Sequence, residues 1–228
     1  MKSLTPPLPH RFDFLEVATA DLEASEAFFT KLGFFTTQQK VTPAMSHKLM
    51  VQGRIRLLLT QGAQGTYQHQ YFLKNGEGIC SVGYHVESAK KALHVLKQNK
   101  SVVVQDFLNE EDELMFLQSS AVQTPFDMRV TFVTRSGAPH DVLSPFAPNF
   151  QKTTTKAPPT GVGLLTFSSI MDSAEARKVQ ITFTCQNVSE TAEVLRKRGF
   201  AVDEGSSPSL KLFQKNPAAL FTVHFRKI

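Results

Sequence analysis

The sequence repeats one order of elements three times, and this repetition limits the folds that the chain can adopt. In each copy, a short apolar stretch leads into an amphipathic helix and then into further strands. The helices are predicted to begin after Asp21, Ser88 and Asn187, which are good helix caps, and two of them end at Gly33 and Gly199. Because a helix with one apolar face packs on a sheet, the sequence predicts an α+β fold built from βαβββ units.

The sequence predicts that two of the three units pair with each other and that the third has no partner unit in the chain. Two of them fall within residues 10–150 and can pair into one curved, closed sheet, and residues 151–160, rich in Lys, Thr and Pro, are typical of a linker. The third unit, within residues 161–228, follows only one short strand, at 163–168. An unpaired unit exposes a sheet edge, so we expect a second copy to cover it in a homodimer. The other predicted strands are residues 12–18, 35–41, 47–52, 55–61, 79–86, 102–107, 114–118, 129–134, 140–143, 179–185, 200–203, 210–214 and 220–226.

Composition argues against two classes of partner. The net charge of +5 comes from basic residues that are mostly interspersed with acidic ones, and the one tight cluster, Arg196-Lys197-Arg198, falls in the last turn of a predicted helix. No stripe of aromatic residues accompanies it, so we expect no nucleic-acid partner. No uncharged apolar stretch approaches the length of a membrane span, and we expect a cytoplasmic protein with no membrane partner. Cys80 and Cys185 lie in apolar strands and are predicted to be buried free thiols.

Polar residues alternate with apolar ones along two strands of the third unit. Since successive side chains of a strand point to opposite sides, each strand has one polar face. These faces could line a wet concavity with a cation, suited to a carboxylate or phosphate. They could equally face solvent, as an antiparallel sheet allows. The candidate ligand-binding residues are Gln180, Thr182, Thr222, His224 and Arg226, and Thr184 shares their face.

Several stretches, taken in order, resemble a known family. Residues 11–17, the helix end Leu32-Gly33-Phe34, residues 47–60 and residues 71–84 resemble the amino-terminal domain of bacterial 4-hydroxyphenylpyruvate dioxygenase, and the likeness covers about residues 10–150. That family belongs to the vicinal oxygen chelate superfamily, whose members are built from paired βαβββ units. The second half resembles the catalytic domain of the same enzymes only in fragments, and most of the first catalytic module is missing from it.

The resemblance implies a ferrous site with two histidines and one glutamate. The corresponding positions here hold Ser169, Gln180 and His224. A match of flanking residues would instead put Val223 at the third position, but the alternation of the strand favours His224. A hydroxyl and a neutral amide are poor ligands for a divalent transition metal, so we expect no metal and no cofactor.

The amino-terminal barrel offers no clear metal site of its own. The superfamily's ligand positions there hold Phe14 and Ser81, which are not useful ligands. Isolated histidines in such a barrel are most often hydrogen-bonded structural residues. The remaining polar candidates in this barrel are Glu16, His47, His85 and His140.

Two functions stay open at this point. The first is a 4-hydroxyphenylpyruvate dioxygenase-like protein without iron-dependent catalysis, which binds a small carboxylate, 2-oxo acid or aromatic ligand or acts as a scaffold. The alternative is a working Fe(II)-dependent dioxygenase or related metalloenzyme, whose site is completed by other residues or by a second chain. For such an enzyme, the resemblance implies conversion of 4-hydroxyphenylpyruvate to homogentisate. Whether the chain is an enzyme is left open between the two.

Overall fold

The computed structural model describes residues 11–125, 127–136, 145–153, 164–173, 178–185, 187–204, 209–213 and 221–227. In the second sheet, the description is of the backbone alone for residues 164–173, 178–184, 201, 203–204, 209–213 and 221–227. Among the described residues, none of the helices has the length and hydrophobicity needed to cross a bilayer.

The first unit forms a helix and four strands in the predicted order. These are β1 (Arg11–Ala18), α1 (Leu22–Lys31), β2 (Phe35–Val41), β3 (Met45–Gln52) and β4 (Ile55–Gly62). The Asp21 side chain caps α1, because its Oδ1 accepts a hydrogen bond from the Ala24 N–H at 3.0 Å. Gly33 follows the helix with a φ of 96°, which a residue with a side chain rarely adopts.

The second unit repeats this pattern and joins the same sheet. Its elements are α2 (Tyr67–Asn75), β5 (Gly78–His85), α3 (Ala89–Gln98), β6 (Val103–Glu111), β7 (Phe116–Gln123) and β8 (Arg129–Arg135), and β9 (Gln151–Lys152) follows. The nine strands have the order β6-β7-β8-β5-β1-β4-β3-β2-β9. In each unit the first strand runs parallel to the last, and β1 and β5 join the units in antiparallel fashion. This topology confirms the predicted paired βαβββ architecture.

The third unit forms a separate five-stranded sheet. Its elements are β10 (Leu164–Ser173), β11 (Lys178–Cys185), α4 (Val188–Lys197), β12 (Ala201–Glu204), β13 (Ser209–Phe213) and β14 (Phe221–Lys227), in the order β10-β11-β14-β13-β12. β10 pairs with β11 in antiparallel fashion, as β1 does with β5. Residues 19–77 separate β1 from β5, whereas only residues 174–177 separate β10 from β11. Four residues cannot hold a helix and three strands, so β10 alone takes the place of a paired unit.

The two sheets share one hydrophobic core. Apolar residues of β1, β4 and α1 form a single buried cluster with Cys185, Ala192 and Leu195 of the third unit. The rings of Phe28 and Phe200 meet edge to face with centroids 5.6 Å apart, as part of this packing. The third unit therefore covers the helical side of the first one.

Several details differ from the sequence-based expectations. β6 and β7 end at Glu111 and Gln123, beyond the predicted ends at 107 and 118. Helix α2 was not predicted, because Tyr71 is its one buried residue and no apolar stripe marks it. The predicted linker 151–160 begins with strand β9, which pairs with Gln38 and Gln39 of β2, while residues 154–160 lie outside the described residues. The strand predicted at 163–168 extends to Ser173. The strand predicted at 140–143 lies outside the described residues.

Candidate functional site

The backbone register of the second sheet brings the candidate residues of the third unit close together. Ser169 of β10 pairs with Thr182 of β11, and Thr182 pairs with His224 of β14. Gln180 pairs with Thr222, and Thr184 with Arg226, in the adjacent rows. The three positions implied for iron, Ser169, Gln180 and His224, thus lie on three neighbouring strands. Ser169 and His224 share one row of register neighbours, and Gln180 lies in the adjacent row. Their ligand-binding role stays a prediction.

The residue types at these three positions do not fit ferrous iron. The site would need anionic oxygen or imidazole ligands, and here it has one imidazole, one hydroxyl and one neutral amide. In the part of the chain that the structure describes, no three His, Cys, Asp or Glu side chains are grouped to hold a metal ion.

A second polar region crosses the first sheet, on the face opposite to α1 and α3. Most of this face is apolar, with Phe14, Leu49, Leu58 and Phe146 in one buried cluster. Polar residues interrupt it on six adjacent strands. Neighbours along this polar row are register partners except between β4 and β1, where Thr60 pairs with Ala18 and Glu16 lies two residues before Ala18. This polar row consists of Lys40 on β2, His47 on β3, Thr60 on β4, Glu16 on β1, Ser81 on β5 and Arg129 on β8.

Three side chains at the centre of the polar row form a hydrogen-bonded relay. The Thr60 hydroxyl donates to Glu16 Oε1 at 2.9 Å, and Thr60 Oγ1 lies 3.0 Å from His47 Nδ1. Glu16 Oε1 also accepts a hydrogen bond from Gln68 Nε2 of α2 at 2.9 Å. The helix that the sequence did not predict therefore covers this part of the sheet and supplies a second hydrogen bond to Glu16 Oε1.

Burial shifts the ionisation of both ends of the relay. Burial raises the pKa of the Glu16 carboxyl, and the hydrogen bonds from Gln68 and Thr60 oppose this shift. Burial also lowers the pKa of His47 to about 4, with a smaller contribution from the positive charge of Lys40. The imidazole is therefore neutral near pH 7.

The other end of the polar row is built around Arg129 and Tyr67. The Arg129 guanidinium lies over the Tyr67 ring, 3.4 Å from its centroid. The Tyr67 hydroxyl lies within hydrogen-bonding distance of two backbone carbonyls, Cys80 O at 2.7 Å and Asp127 O at 2.6 Å. Burial raises the pKa of both the Tyr67 phenol and the Cys80 thiol, so neither is a nucleophile near neutral pH.

A buried charged cluster lies on the same sheet beyond the apolar region. Arg56 Nη1 lies 2.7 Å from Asp13 Oδ1, and Arg135 Nη2 forms an ion pair with the other carboxylate oxygen. Arg135 Nη1 also donates to Phe146 O at 2.5 Å, and burial lowers the Arg135 pKa to about 10. This cluster fastens the segment containing Phe146 to the sheet, which is a structural role.

The structure places the amino-terminal candidates at different points of the first sheet. His85 is the last residue of β5, where it pairs with Arg11 and Val133. Glu16 and His47 belong to the relay, and Ser81 Oγ lies 2.8 Å from Thr131 Oγ1. Phe14 packs in the apolar cluster, and His140 lies outside the described residues. Sequence reasoning missed Thr60, Gln68 and Arg129. The predicted burial of the free thiols Cys80 and Cys185 is confirmed.

A cleft of about 470 Å³ opens at the amino end of α1, on the helical side of the sheet. Of the residues that the structure describes, the one lysine or arginine that lines it is the half-buried Lys48. Its charge is already neutralised, because Nζ lies 2.6 Å from Glu23 Oε1 and 2.5 Å from Glu26 Oε2. The cleft therefore offers no free charge to an anionic ligand.

Comparison with known proteins identifies the fold of the chain. The profile of the hydroxyphenylpyruvate dioxygenase N-terminal family matches residues 6–140. No protein of curated function matches the sequence significantly.

Two solved structures resemble this one over more than nine-tenths of the chain. A triple mutant of 4-hydroxymandelate synthase from Streptomyces coelicolor is 10% identical with a TM-score of 0.56, over 95% of this chain and 92% of the other. A xylose isomerase-like TIM barrel/4-hydroxyphenylpyruvate dioxygenase fusion protein is 19% identical with a TM-score of 0.51. This chain is covered to 98% in the second comparison and spans 33% of the fusion protein. At sequence identities of 10% and 19%, the two comparisons show a similar fold.

Proposed function

Because the chain belongs to the hydroxyphenylpyruvate dioxygenase N-terminal family, with a vicinal oxygen chelate fold, we propose that it binds a small anionic or aromatic molecule without iron-dependent catalysis. The observation that carries this proposal is the residue set Ser169, Gln180 and His224 on three adjacent strands. These residue types are poor ligands for iron, and their neighbouring register positions support a small-molecule site in its place.

The residues near these positions favour an anionic ligand. Thr182 and Thr222 are register neighbours of His224 and Gln180, and Arg226 lies two residues beyond His224 on the same strand. Arginine, histidine and threonine at neighbouring register positions are residue types whose donors suit a carboxylate. Small aromatic carboxylates, including 2-oxo acids, are therefore the proposed ligand class.

Calorimetric titration with phenylpyruvate and 4-hydroxyphenylpyruvate tests this proposal. We expect binding by the purified protein after treatment with a chelator, and a loss of at least tenfold in affinity in Arg226→Gln. Lys227→Gln is the matched control, since it removes the same charge from the next position of β14, and we expect it to bind normally. Absence of binding, together with one tightly held transition metal per chain, would reject the proposal in favour of the Fe(II) enzyme.

The assignment of the three positions has its own test. The triple substitution Ser169→His, Gln180→His and His224→Glu restores two imidazoles and one carboxylate. If these positions are those of the family's iron site, the variant gains a ferrous ion that the parent protein does not retain. A variant that folds but binds no more metal than the parent would show that the positions are wrongly assigned.

We also propose that a second copy covers the third unit. β10 is the first strand in the order of the second sheet, and among the described residues its outer edge pairs with no strand. An open edge of ten residues favours association with another chain. Light scattering should give a dimer, and a monomer at all concentrations would refute this part of the proposal.

A further inference from the structure

We propose that the polar row of the first sheet is a second ligand site, in which His47 Nε2 accepts a hydrogen bond from the hydroxyl of a small hydroxy acid and Lys40 binds its carboxylate. This site is independent of the proposed function, because it lies on a different sheet from His224.

The relay fixes which nitrogen of His47 carries the proton. A hydroxyl group has one hydrogen, and that of Thr60 is donated to Glu16 Oε1 at 2.9 Å. Thr60 Oγ1 must therefore accept from His47, which places the imidazole proton on Nδ1 at the other end of the 3.0 Å contact. Since a neutral imidazole has one N–H, Nε2 is left with a lone pair.

The contacts of Glu16 support this direction of the relay. The reverse direction would require Glu16 Oε1 to carry a proton and to donate it to Thr60. Gln68 Nε2–H already donates to this oxygen at 2.9 Å, and the hydroxyl oxygen of a protonated carboxyl is a poorer hydrogen-bond acceptor than a carboxylate oxygen. The buried carboxyl therefore orients His47 through Thr60, in the way that a carboxylate orients a catalytic histidine.

Nε2 is left as an acceptor that the protein does not use. Among the described residues, His47 has Thr60 as its hydrogen-bonding partner and the Phe150 ring as its aromatic neighbour. Burying polar groups on an otherwise apolar face costs free energy, and the hydrogen bonds offset this cost for Glu16 and Thr60. A nitrogen with a fixed direction and an unused lone pair, such as His47 Nε2, is the kind of acceptor that a binding site presents to a ligand.

Lys40 supplies the charge next to this acceptor. Lys40 and His47 are register neighbours on β2 and β3, and both contact Phe150. The Lys40 ammonium lies 5.8 Å from the ring centroid, and the imidazole centroid lies at the same distance of 5.8 Å. Lys40 donates one hydrogen bond to Pro148 O at 3.0 Å, which leaves two of its three N–H groups for a carboxylate.

The tautomer is measurable directly by long-range ¹H–¹⁵N correlation NMR of the imidazole nitrogens. We expect His47, assigned by the signal lost in His47→Gln, to be protonated at Nδ1 in the ligand-free protein. In Thr60→Val, which is close in shape but lacks the hydroxyl, this preference should disappear. Thr131→Val is the matched control, because it removes a hydroxyl from the same sheet outside the relay. Protonation of His47 at Nε2 in the unsubstituted protein would overturn the proposal.

Binding is tested with phenyllactate and with 3-phenylpropionate, which differ by one hydroxyl group. We expect phenyllactate to bind at least tenfold more tightly and to shift the His47 Nε2 resonance. These titrations use the Arg226→Gln background, so that the site proposed in the third unit does not compete for the same acids. There His47→Gln and Thr60→Val should abolish the preference, and Lys40→Gln should weaken both acids. Equal affinity for the two acids, no binding of either, or an unchanged preference in a folded Thr60→Val protein would each refute the site. If Thr60→Val does not fold, His47→Gln and the tautomer of the parent protein still decide the question.

Discussion

Replacement of Asp13 by asparagine should be among the most destabilising single changes in the first sheet. Asp13 is the counterion of both Arg56 and Arg135, and the exposed fractions of the three side chains are 1%, 4% and 3%. Asp13→Asn keeps the size of the side chain and removes its charge, so two buried guanidinium groups lose their anionic partner. Removal of one partner from a buried ion pair costs about 3–5 kcal/mol of unfolding free energy.

Urea denaturation followed by circular dichroism measures this loss. With a slope of about 2–3 kcal/mol per molar urea, a loss of about 4 kcal/mol lowers the midpoint by about 1.5 M. Asp106→Asn is the matched control, because Asp106 pairs with Lys97 at 3.0 Å on the surface, where we expect no measurable shift of the midpoint. The reasoning about buried charge would be refuted if Asp13→Asn shifted the midpoint no more than this control.

A combined variant separates the cost of an unpaired charge from the value of the cluster. If Asp13, Arg56 and Arg135 are replaced together by leucine, leucine and methionine, no buried charge is left without a partner. We expect this protein to recover most of the stability lost in Asp13→Asn, since apolar replacement of a whole buried ion cluster is often neutral. Arg135→Met also removes the hydrogen bond to Phe146 O, so the recovery should be incomplete.

Three further predictions concern single residues. The pKa of His47 is lowered to about 4, so below pH 6.5 the unfolded chain binds a proton that the folded protein does not. The free energy of unfolding should therefore fall by at most about 3 kcal/mol between pH 6.5 and 4. His47→Phe should flatten this pH profile, and the substitution His94→Gln at an exposed position should not. Gly83→Ala places a methyl group against the Phe14 ring and should cost about 1–3 kcal/mol, which Phe14→Leu in the same chain should partly restore; additive losses in the double variant would contradict the clash. Asn187→Ala removes the cap of α4 and should cost about 1 kcal/mol in urea denaturation, while Asn187→Ser should keep most of it; equal losses would argue against capping.

The sequence was sufficient for the architecture because its signals are local. The caps at Asp21, Ser88 and Asn187 and the stops at Gly33 and Gly199 are confirmed, and each depends on residues within a single turn. Helix α2 lacks such a signal, because its sequence from Tyr67 to Asn75 has no apolar repeat. Strand β9 has two residues, which is too short for an alternation to be visible.

The relay could not be predicted, although two of its residues were candidates. Glu16 and Thr60 are 44 positions apart and meet because the first and last strands of the unit pair in parallel. Alternation tells which face of a strand a residue occupies, but the register of long-range pairs decides its neighbour. The contribution of Gln68 depends in addition on a helix without a sequence signature.

The core shared by α1 and α4 has a consequence for how the molecule melts. Phe28 belongs to the first unit and Phe200 to the third, and the two rings meet while packing against the same buried cluster. A chain with two independent cores would lose its halves one after the other on heating. Here the halves are thermodynamically linked, so calorimetry should record one cooperative transition, and damage to either half lowers the melting temperature of both.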